Sequence, residues 1–316
     1  MKIIARAVNL LVLLSFTSAH AWDLDFGEAN SFNLFVKNTA NLYVSDAESR
    51  VAANSLLSNG YDIGACLNNQ YANAGTTDCS FAQGGVGASL YAQQFVEQNF
   101  ANTYTGANQV NESFFSDSFS HLSALSENLS KLTSDLSLNN QWGDLVVPDT
   151  SSLLNERGFF VTNITLNELQ SAWQLNASGL APGQQLVVNV DAQGASNLNG
   201  LNLVGAGANQ IVYNFYNAEN LTFDWGNMEG TILAVNADFT HNQGLLTGRV
   251  ITESYTTNPN GGTQLNYVGD FVPQGTEVND SQTDVMAPPV FIILSLGCLF
   301  IFLRGQRRTI HTTQLA

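Results

Sequence analysis

Between Leu145 and Phe271, short apolar segments with a period of two alternate with turns rich in Asn and Gly. The clearest of these segments cover residues 185–190, 210–215, 220–223, 230–234 and 248–252. A period of two places alternate side chains on opposite faces of a strand, so the tract predicts many short β-strands. Two architectures fit this pattern, a right-handed β-solenoid and a β-sandwich.

Composition favours the solenoid. The chain has 36 Asn and 26 Gly but only 6 Pro. Asn and Gly suit the sharp turns between coils, and Asn side chains at equivalent positions of stacked coils can bond to one another. Residues 32–57 also alternate in the manner of strands. We therefore predict a mainly β fold, a right-handed β-solenoid, with a β-sandwich as the alternative.

A helical pattern interrupts the β pattern before residue 145. Its apolar residues recur at intervals of three and four, and they are Phe115, Phe119, Leu122, Leu125, Leu129, Leu132 and Leu136. Asn111, or alternatively Ser113, is the expected N-cap. The apolar residues of 90–100 suggest another helix, so we predict a helical insertion over about residues 86–138. Few charges on its other faces could specify a partner helix, which favours packing on the same chain over a coiled-coil dimer.

The first 21 residues have the pattern of a secretory signal peptide. Two basic residues precede an apolar run at 7–14, and small residues Ala19 and Ala21 stand where signal peptidase requires them. The run is shorter than a membrane-spanning helix needs. Cleavage between Ala21 and Trp22, followed by export, is the expectation.

The C-terminal tail has three parts. A short Pro-containing motif consists of Val285, Ala287 and Pro288. An apolar run then covers residues 290–303, about 21 Å as a helix. The basic end consists of Arg304, Arg307 and Arg308.

This tail resembles the PEP-CTERM class of bacterial sorting signals, although the usual Pro-Glu-Pro is absent. The resemblance implies an inner-membrane anchor with a cytoplasmic basic end, followed by processing by an exosortase-like enzyme. A plain C-terminal anchor that is never cut is the alternative.

The number and positions of the cysteines are consistent with export. Cys66 and Cys79 lie in a stretch rich in Gly and Asn, and Cys298 lies inside the apolar run of the tail. In an oxidising compartment the first two are the only available pair, so a local disulfide is expected between them. A metal site is a poor alternative, because two thiols need two further ligands and no His or Cys is nearby.

The charge balance excludes nucleic acid as a partner. The chain has 26 acidic and 10 basic residues and a net charge of −16, and only five of the basic residues lie between positions 22 and 284. Binding to a phosphate backbone needs clustered Lys and Arg, which are missing.

Few residues are suited to catalysis. His121 lies in the predicted helix, and His241 follows Asp238 closely enough to pair with it, but no serine elbow or nucleophilic Cys accompanies them. Nucleotide-binding and metalloprotease motifs are absent. Carboxylates that could form a glycan-cleaving pair in the β tract are Asp191, Asp224, Glu229 and Asp238.

We expect no cofactor, with bound calcium as an alternative. Asp23, Asp25 and Glu28 are close in sequence, as are Asp46 and Glu48, and Ca²⁺ prefers several carboxylate oxygens. Neither an EF-hand nor a calcium-binding nonapeptide repeat is present.

Segments 32–36, 46–53, 213–218, 230–237 and 248–251 resemble, in that order, motifs of the choice-of-anchor A family. These are bacterial exported proteins that share an adhesive domain followed by various surface anchors. The motif positions, which we interpret as structural, are Asn33, Leu34, Phe35, Val36, Asp46, Glu48, Arg50, Asn214, Asn217, Gly230, Asn236 and Gly248. The resemblance implies a β-solenoid similar in layout to ice-binding solenoids, and a role in surface adhesion.

The sequence thus predicts a signal peptide at 1–21, an adhesive domain at 22–272, a flexible stalk at 273–284 and a sorting signal at 285–316. We expect a non-catalytic, adhesin-like protein at the cell surface or in the extracellular matrix. Its expected ligand is an extracellular polysaccharide, a matrix component or a surface protein.

Two other functions fit the predicted fold. One is a polysaccharide-cleaving solenoid enzyme. The other is an ice-binding-like solenoid, which needs a flat face of regularly spaced small residues such as Thr. The Thr residues are not regularly spaced along the sequence, which predicts no such face.

Overall fold

The computed structural model describes residues 24–64, 90–99, 107–153 and 157–267. All of them belong to the first of two units, Met1–Gly275 and Thr276–Ala316. The first eight strands are β1 Leu34–Ala47, β2 Val51–Ile63, β3 Leu90–Asn99, β4 Ala107–Gln109, β5 Asn139–Gln141, β6 Asp144–Val146, β7 Phe159–Thr165 and β8 Gln174–Asn176. The others are β9 Gln185–Asp191, β10 Gly194–Val204, β11 Ile211–Asn214, β12 Ala218–Glu229, β13 Thr231–His241, β14 Gly244–Thr247, β15 Val250–Thr257 and β16 Thr263–Asn266. The helices are α1 Glu112–Ser130, α2 Leu166–Gln170 and the 3-10 turns Gly27–Ser31 and Ala208–Gln210.

These strands form one continuous sheet that winds into a β-solenoid. Each strand pairing in the described part of the chain is parallel except the β5–β6 hairpin. Parallel pairing between successive coils is what a solenoid requires, whereas a sandwich is built from antiparallel sheets. The predicted mainly β solenoid is therefore confirmed in its architecture, and the β-sandwich alternative is wrong.

The stack of coils has three faces. The first face contains β7, β9, β11 and the starts of β13, β15, β1 and β2. The second face contains the starts of β10 and β12, the ends of β13 and β15, and the middles of β1 and β2. The third face contains β6, β8, the ends of β10 and β12, β14, β16, and the ends of β1 and β2.

The coils do not stack in sequence order. The first strand, β1, pairs with β15 and β16 of the last coil, with Leu34 opposite Val250. Strands β2, β3 and β4 then extend the stack beyond β1. Helix α1 carries the chain back along the first face. Its 19 residues are about 28 Å long, or roughly six strand spacings.

Helix α1 packs on the chain's own sheet, as predicted. Asn111 is its N-cap, with the side-chain oxygen accepting a hydrogen bond from the Phe114 N–H at 3.0 Å. Its buried residues are Phe115, Phe119, Leu122, Leu125, Ser126 and Leu129. They cover the outward side chains of the first face, such as Phe35 and Val187, while alternate strand residues fill the solenoid interior. The helix therefore closes a second apolar core outside the coils.

The prediction of a helical insertion over about 86–138 is wrong in its first half. Residues Leu90–Asn99 and Ala107–Gln109 are strands β3 and β4. Leu90 and Ala92 are buried beside Val51 and Ala53 of the neighbouring coil. An open strand edge on β2 supplies hydrogen-bond partners and an apolar surface for this segment, which the local apolar spacing did not reveal.

Several expected features lie outside the described residues. They are the signal peptide with its Ala21–Trp22 cleavage site, the Cys66–Cys79 pair, the stalk at 273–284 and the sorting tail at 285–316. In the part of the chain that the structure describes, no helix is both long and apolar enough to span a membrane.

Candidate functional site

The second face presents two outward rows of small, mostly uncharged side chains. In stacking order, the first row consists of Asn197, Thr222, Thr240, Thr256, Asn41, Leu57 and Val96. The second row consists of Ala195, Asn220, Asp238, Ser254, Thr39, Ser55 and Gln94. All fourteen side chains are exposed or half-buried, and Asp238 is the one charged residue among them.

Three threonines are consecutive in the centre of the first row. Thr222 is in register with Thr240, and Thr240 is in register with Thr256. Asn41 continues the row, and its amide donates to the Thr256 hydroxyl at 3.4 Å. Because parallel strands lie about 4.8 Å apart, the hydroxyls repeat at that interval along the solenoid axis.

The expectation that the Thr residues form no regular array is therefore wrong. Coils of unequal length place Thr222, Thr240 and Thr256 at unequal intervals in the sequence, yet in register in the sheet. A local signal was available, because each threonine directly follows a buried residue, namely Leu221, Phe239 or Tyr255. A threonine that follows a buried strand residue points to the solvent.

The interior behind this face is tightly organised. The His241 ring is buried, with Nδ1 at 2.7 Å from the Tyr255 hydroxyl and Nε2 at 3.1 Å from the Gly244 carbonyl oxygen. A carbonyl can only accept, so Nε2 carries the proton and Nδ1 accepts from Tyr255. Burial lowers the pKa of His241 to about 4. His241 does not pair with Asp238, which points outward. Its ring instead links β13 to Tyr255 of β15 behind the threonines.

The other histidine is structural as well. His121 is exposed on α1, and its Nε2 lies 2.7 Å from the carbonyl oxygen of Asp25. It thereby ties the helix to the chain segment that precedes β1.

The four acids considered for glycan cleavage lie at different places around the coils. Asp238 is on the second face, Asp224 is at its corner with the third face, and Glu229 ends the third face in register with Thr247. Asp191 ends β9 on the first face and accepts from the Asn217 amide at 2.6 Å. The strand register therefore does not bring them together as one catalytic pair.

Of the acids considered for calcium, Asp23 lies outside the described residues. Among the residues that the structure describes, no three His, Cys, Asp or Glu side chains are placed to hold a metal ion. Asp25 accepts hydrogen bonds from the Gly27 N–H and the Asn30 amide. Glu48 accepts from the Tyr267 N–H at 2.8 Å.

Asp46 is buried on the third face and lies in register with Asp62 of the next coil. Burial, together with the nearby Asp62 carboxylate, raises the pKa of Asp46 to about 6 despite a hydrogen bond from Gln264. Burial also raises the pKa of Asp62. The folded state thus disfavours the charge on Asp46 at neutral pH.

Asp46→Asn is expected to stabilise the protein at pH 7.5 but not at pH 3.5. The folded-state pKa of Asp46 is above its ordinary value of 3.8, so its favourable contribution is complete below pH 3.8 and is lost as pH rises through about 6. We expect a gain of about 2 kcal/mol at pH 7.5, allowing for solvent screening. Urea unfolding at both pH values measures it, with Asp238→Asn on the exposed face as the control. An equal effect of Asp46→Asn at both pH values would contradict the assignment.

The remaining motif residues lie mainly at contacts between coils. Asn33 is buried and its amide donates to the carbonyl oxygens of Gly248 and Asn266, which joins the start of β1 to the last coil. It precedes Leu34, Phe35 and Val36, which begin β1 on the first face. The Arg50 carbonyl oxygen accepts from the Asn33 N–H at 2.9 Å.

Three more motif asparagines lie along the C-terminal coils. Asn214 is buried beneath α1, where it is bonded to Ser126. The Asn217 side-chain oxygen accepts from the Ala192 N–H, and Asn236 is exposed. Gly230 and Gly248 stack at the corner between the third and first faces, as their close backbone approach shows.

A family model and solved structures of other proteins are similar to this chain. A family model described as "Putative Ice-binding-like adhesive domain" matches residues 25–266. An ice-binding protein from the Antarctic ascomycete Antarctomyces psychrotrophicus is 14% identical, over 78% of this chain and 97% of that one, with a TM-score of 0.39. An ice-binding protein from an Arctic yeast is 13% identical, over 80% and 97% of the two chains, with a TM-score of 0.36. No curated protein matches the chain. Since the family model covers nearly all of the solenoid from its first to its last strand, the chain belongs to the family of ice-binding-like adhesive domains.

Proposed function

We propose that this protein is a non-catalytic adhesive domain that binds ice through its second face. The observation that carries the proposal is the row Thr222, Thr240 and Thr256, continued by Asn41, in consecutive parallel strands. Hydroxyl groups held about 4.8 Å apart on a sheet can bond to an ordered layer of water. Ice presents such a layer over an area as extended as the face itself.

The chemistry of the whole face supports this choice. Apart from Asp238, the fourteen side chains of its two rows are uncharged, and most carry a hydroxyl or an amide. A charged lysine or glutamate in the rows would hold water molecules tightly around its own charge, and this hydration would compete with a regular water layer. The buried ring pair Phe239–Tyr255, stacked at 5.6 Å, keeps the two central strands rigid from the inside. Membership in a family of ice-binding-like adhesive domains points in the same direction.

Thr240→Tyr is expected to reduce adsorption to ice by roughly tenfold or more. One bulky ring in the centre of the row would hold the neighbouring hydroxyls away from a flat surface and break the complementarity of the contact. Partition of the purified full chain into slowly growing polycrystalline ice measures the adsorption, and thermal hysteresis provides a second readout. Thr247→Tyr is the matched control, because Thr247 is a half-buried outward threonine on the third face.

Two results would overturn the ice proposal. One is a parent protein that stays in the liquid fraction and shows no thermal hysteresis. The other is equal adsorption by the parent and both tyrosine variants, which would remove the second face from the contact. Circular dichroism melts of each variant separate a lost contact from a lost fold.

We also propose that the domain works outside the cell, at the surface or in the matrix, as the choice-of-anchor A resemblance implies. In this proposal the chain loses its signal peptide before Trp22, forms the Cys66–Cys79 disulfide, and is processed at its PEP-CTERM-like tail by an exosortase-like enzyme. Adhesion to an extracellular polysaccharide or surface protein is the second candidate function, favoured by the adhesive family. The mass of the protein recovered from native cells, starting at Trp22 or at Met1, tests the export step.

A further inference from the structure

A line of exposed side chains runs along the corner between the second and third faces. Each coil turns there just before its third-face strand. We call this line the tryptophan edge, and its members are Trp142, Trp173, Asn199, Trp225, Gln243, Asn260 and Val44. Trp142 is fully exposed, Trp225 is 62% exposed and Trp173 is 54% exposed. Three of the largest apolar side chains of the protein are therefore left in solvent, where they do not contribute the stability that burial would give.

Contacts between neighbouring coils show that the turns carrying these residues stack at one corner. Trp173 donates from its N–H to the Gly143 carbonyl oxygen, beside Trp142, and accepts at its own carbonyl from the Asn202 N–H. Trp225 is in register with Asn199. The Gly244 N–H donates to the Gly262 carbonyl oxygen at 2.7 Å, which continues the line into the coil of Asn260.

Gly261 brings the turn of Asn260 next to Val44, the last member of the edge. Its Cα lies against the Val44 backbone, because a Cβ there would be 2.8 Å from the Val44 oxygen. The edge therefore crosses the coils from the β5–β6 hairpin to β1.

The backbone holds two edge residues in a costly conformation. Trp142 has a φ of 58° and Val44 has a φ of 39°, and they are the two non-glycine residues with positive φ in the described chain. This region suits Gly or Asn and costs a bulky or β-branched residue roughly 1–2 kcal/mol. Both side chains are exposed, so the strain is not offset by burial in a core. Strain retained at an exposed position indicates a function for the side chain.

Hydrogen bonds fix the turn that carries Trp142. The Trp173 indole N–H donates to the Trp142 carbonyl oxygen at 3.2 Å, and the ring lies directly over Gly143. The Asn140 side-chain oxygen accepts from the Gly143 N–H at 3.0 Å. These bonds fix the turn and leave the Trp142 ring free in solvent.

We propose that the tryptophan edge is a binding site for a neutral polysaccharide chain. Indole faces stack on the C–H faces of pyranose rings, and the amides of Asn199, Gln243 and Asn260 can donate to and accept from sugar hydroxyls. Trp173 and Trp225 belong to coils two strand spacings apart, roughly 10 Å along the axis, which is the scale of two pyranose rings in an extended chain. The edge and the threonine rows are different surfaces of the same coils.

Charge selects a neutral ligand. No member of the edge is ionisable, and the acids within two positions of a member are Asp46, Asp144 and Asp224, near Val44, Trp142 and Trp225. With 26 acidic against 10 basic residues in the chain, an anionic polymer or an anionic membrane would be repelled. A neutral glycan has no such penalty, and its hydroxyl groups can donate hydrogen bonds to carboxylates near the edge.

Tryptophan fluorescence of the full chain, titrated with cellohexaose, laminarihexaose and chitohexaose, tests the site. We expect a saturable blue shift with at least one of these neutral hexasaccharides. Trp142→Ala and Trp225→Ala are each expected to weaken that binding roughly tenfold. Val204→Ala, a truncation of an exposed valine on the third face, should leave the binding unchanged, and calorimetry confirms affinities when an indole has been removed.

Three outcomes would overturn the proposal. They are no saturable signal with any of the three sugars, equal affinity in the tryptophan variants, and a tryptophan-dependent binding to phosphatidylcholine vesicles in place of the sugars. The Thr240→Tyr variant keeps this test separate from the ice proposal. It should bind the hexasaccharide as the parent does, whether or not the parent adsorbs to ice.

Discussion

Gly248→Ala is expected to remove at least about 4 kcal/mol from the free energy of unfolding, much of the stability of an ordinary domain. Gly248 has a φ of 133°, and an added Cβ would lie 2.3 Å from the carbonyl oxygen of Gly230 in the next coil. That oxygen belongs to backbone and cannot rotate away. Relief would need a shift of one coil against the next, which adds an overpacking cost to the backbone strain. Urea unfolding followed by circular dichroism measures the loss.

Gly194→Ala is the matched control for this substitution. Gly194 also has a positive φ, of 80°, but an added Cβ there meets nothing within 4 Å. It should cost only about 1 kcal/mol, the price of the backbone conformation alone. If Gly248→Ala were no more destabilising than Gly194→Ala, the close stacking of Gly230 and Gly248 would not be a determinant of stability.

The strands and the helix could be predicted because their signals are local. The short apolar segments at 185–190 and 230–234 were enough to place β9 and β13. Both sides of these strands are buried there, because one side faces the solenoid interior and the other is covered by α1. The stripe from Phe115 to Leu129 likewise predicted α1. The abundant Asn pointed to coil contacts, and buried Asn189 and Asn214 do bond to each other.

The order of the coils could not be predicted from such signals. Pairing of β1 with β15 brings together residues more than 200 positions apart, and nothing in either strand identifies the other. The same closure creates the second face, because Asn41 joins a row that begins in the C-terminal coils. The strand at 90–99 depends on this arrangement too, since it needs the open edge of β2.

The two proposed binding surfaces differ in how far the sequence alone could predict them. The threonine row is hidden by coils of unequal length, although Thr222 and Thr240 each lie between buried residues of a strand. The tryptophan edge has a partial signal, because Trp142 and Trp225 each precede a Gly, a pairing typical of a tight turn. Only the register of the coils shows that these turns fall on one corner.

Asn214→Leu is expected to destabilise the protein by about 3–5 kcal/mol and to release α1 from the first face. The Asn214 amide donates to the Ser126 carbonyl oxygen at 2.9 Å and to the Asn189 side-chain oxygen at 2.8 Å, and its own oxygen accepts from the Ser126 hydroxyl at 2.6 Å. Leucine has a similar size but replaces none of these bonds. The Ser126 hydroxyl and the Asn189 side-chain oxygen would stay buried without this partner, at about 1–3 kcal/mol each.

Asn214 belongs to a ladder of hydrogen bonds in which asparagines of neighbouring strands donate to backbone carbonyl oxygens of α1 and the residues after it. Asn214, Asn189 and Asn163 lie in neighbouring strands and donate to the carbonyl oxygens of Ser126, Leu129 and Leu132. Three residues of helix rise about 4.5 Å, close to the strand spacing of about 4.8 Å. One asparagine per coil therefore meets one carbonyl along the last turn of α1 and the two residues beyond it, and the Leu129 oxygen also accepts from the Leu132 N–H. Hydrogen exchange of the α1 amides should accelerate in Asn214→Leu.

A second substitution separates the hydrogen bonds from simple packing. Ser126→Ala combined with Asn214→Leu removes both side chains of the closest bond, so fewer buried groups stay unpaired than in Asn214→Leu alone. The double variant should cost at least about 1 kcal/mol less than the sum of the two single variants. Asn236→Leu, at an exposed position of β13, should change stability by no more than about 0.5 kcal/mol. Strict additivity at Ser126 and Asn214, or an Asn214→Leu protein as stable as the parent, would mean that the aromatic contacts of α1 with Phe35 hold the helix without the ladder.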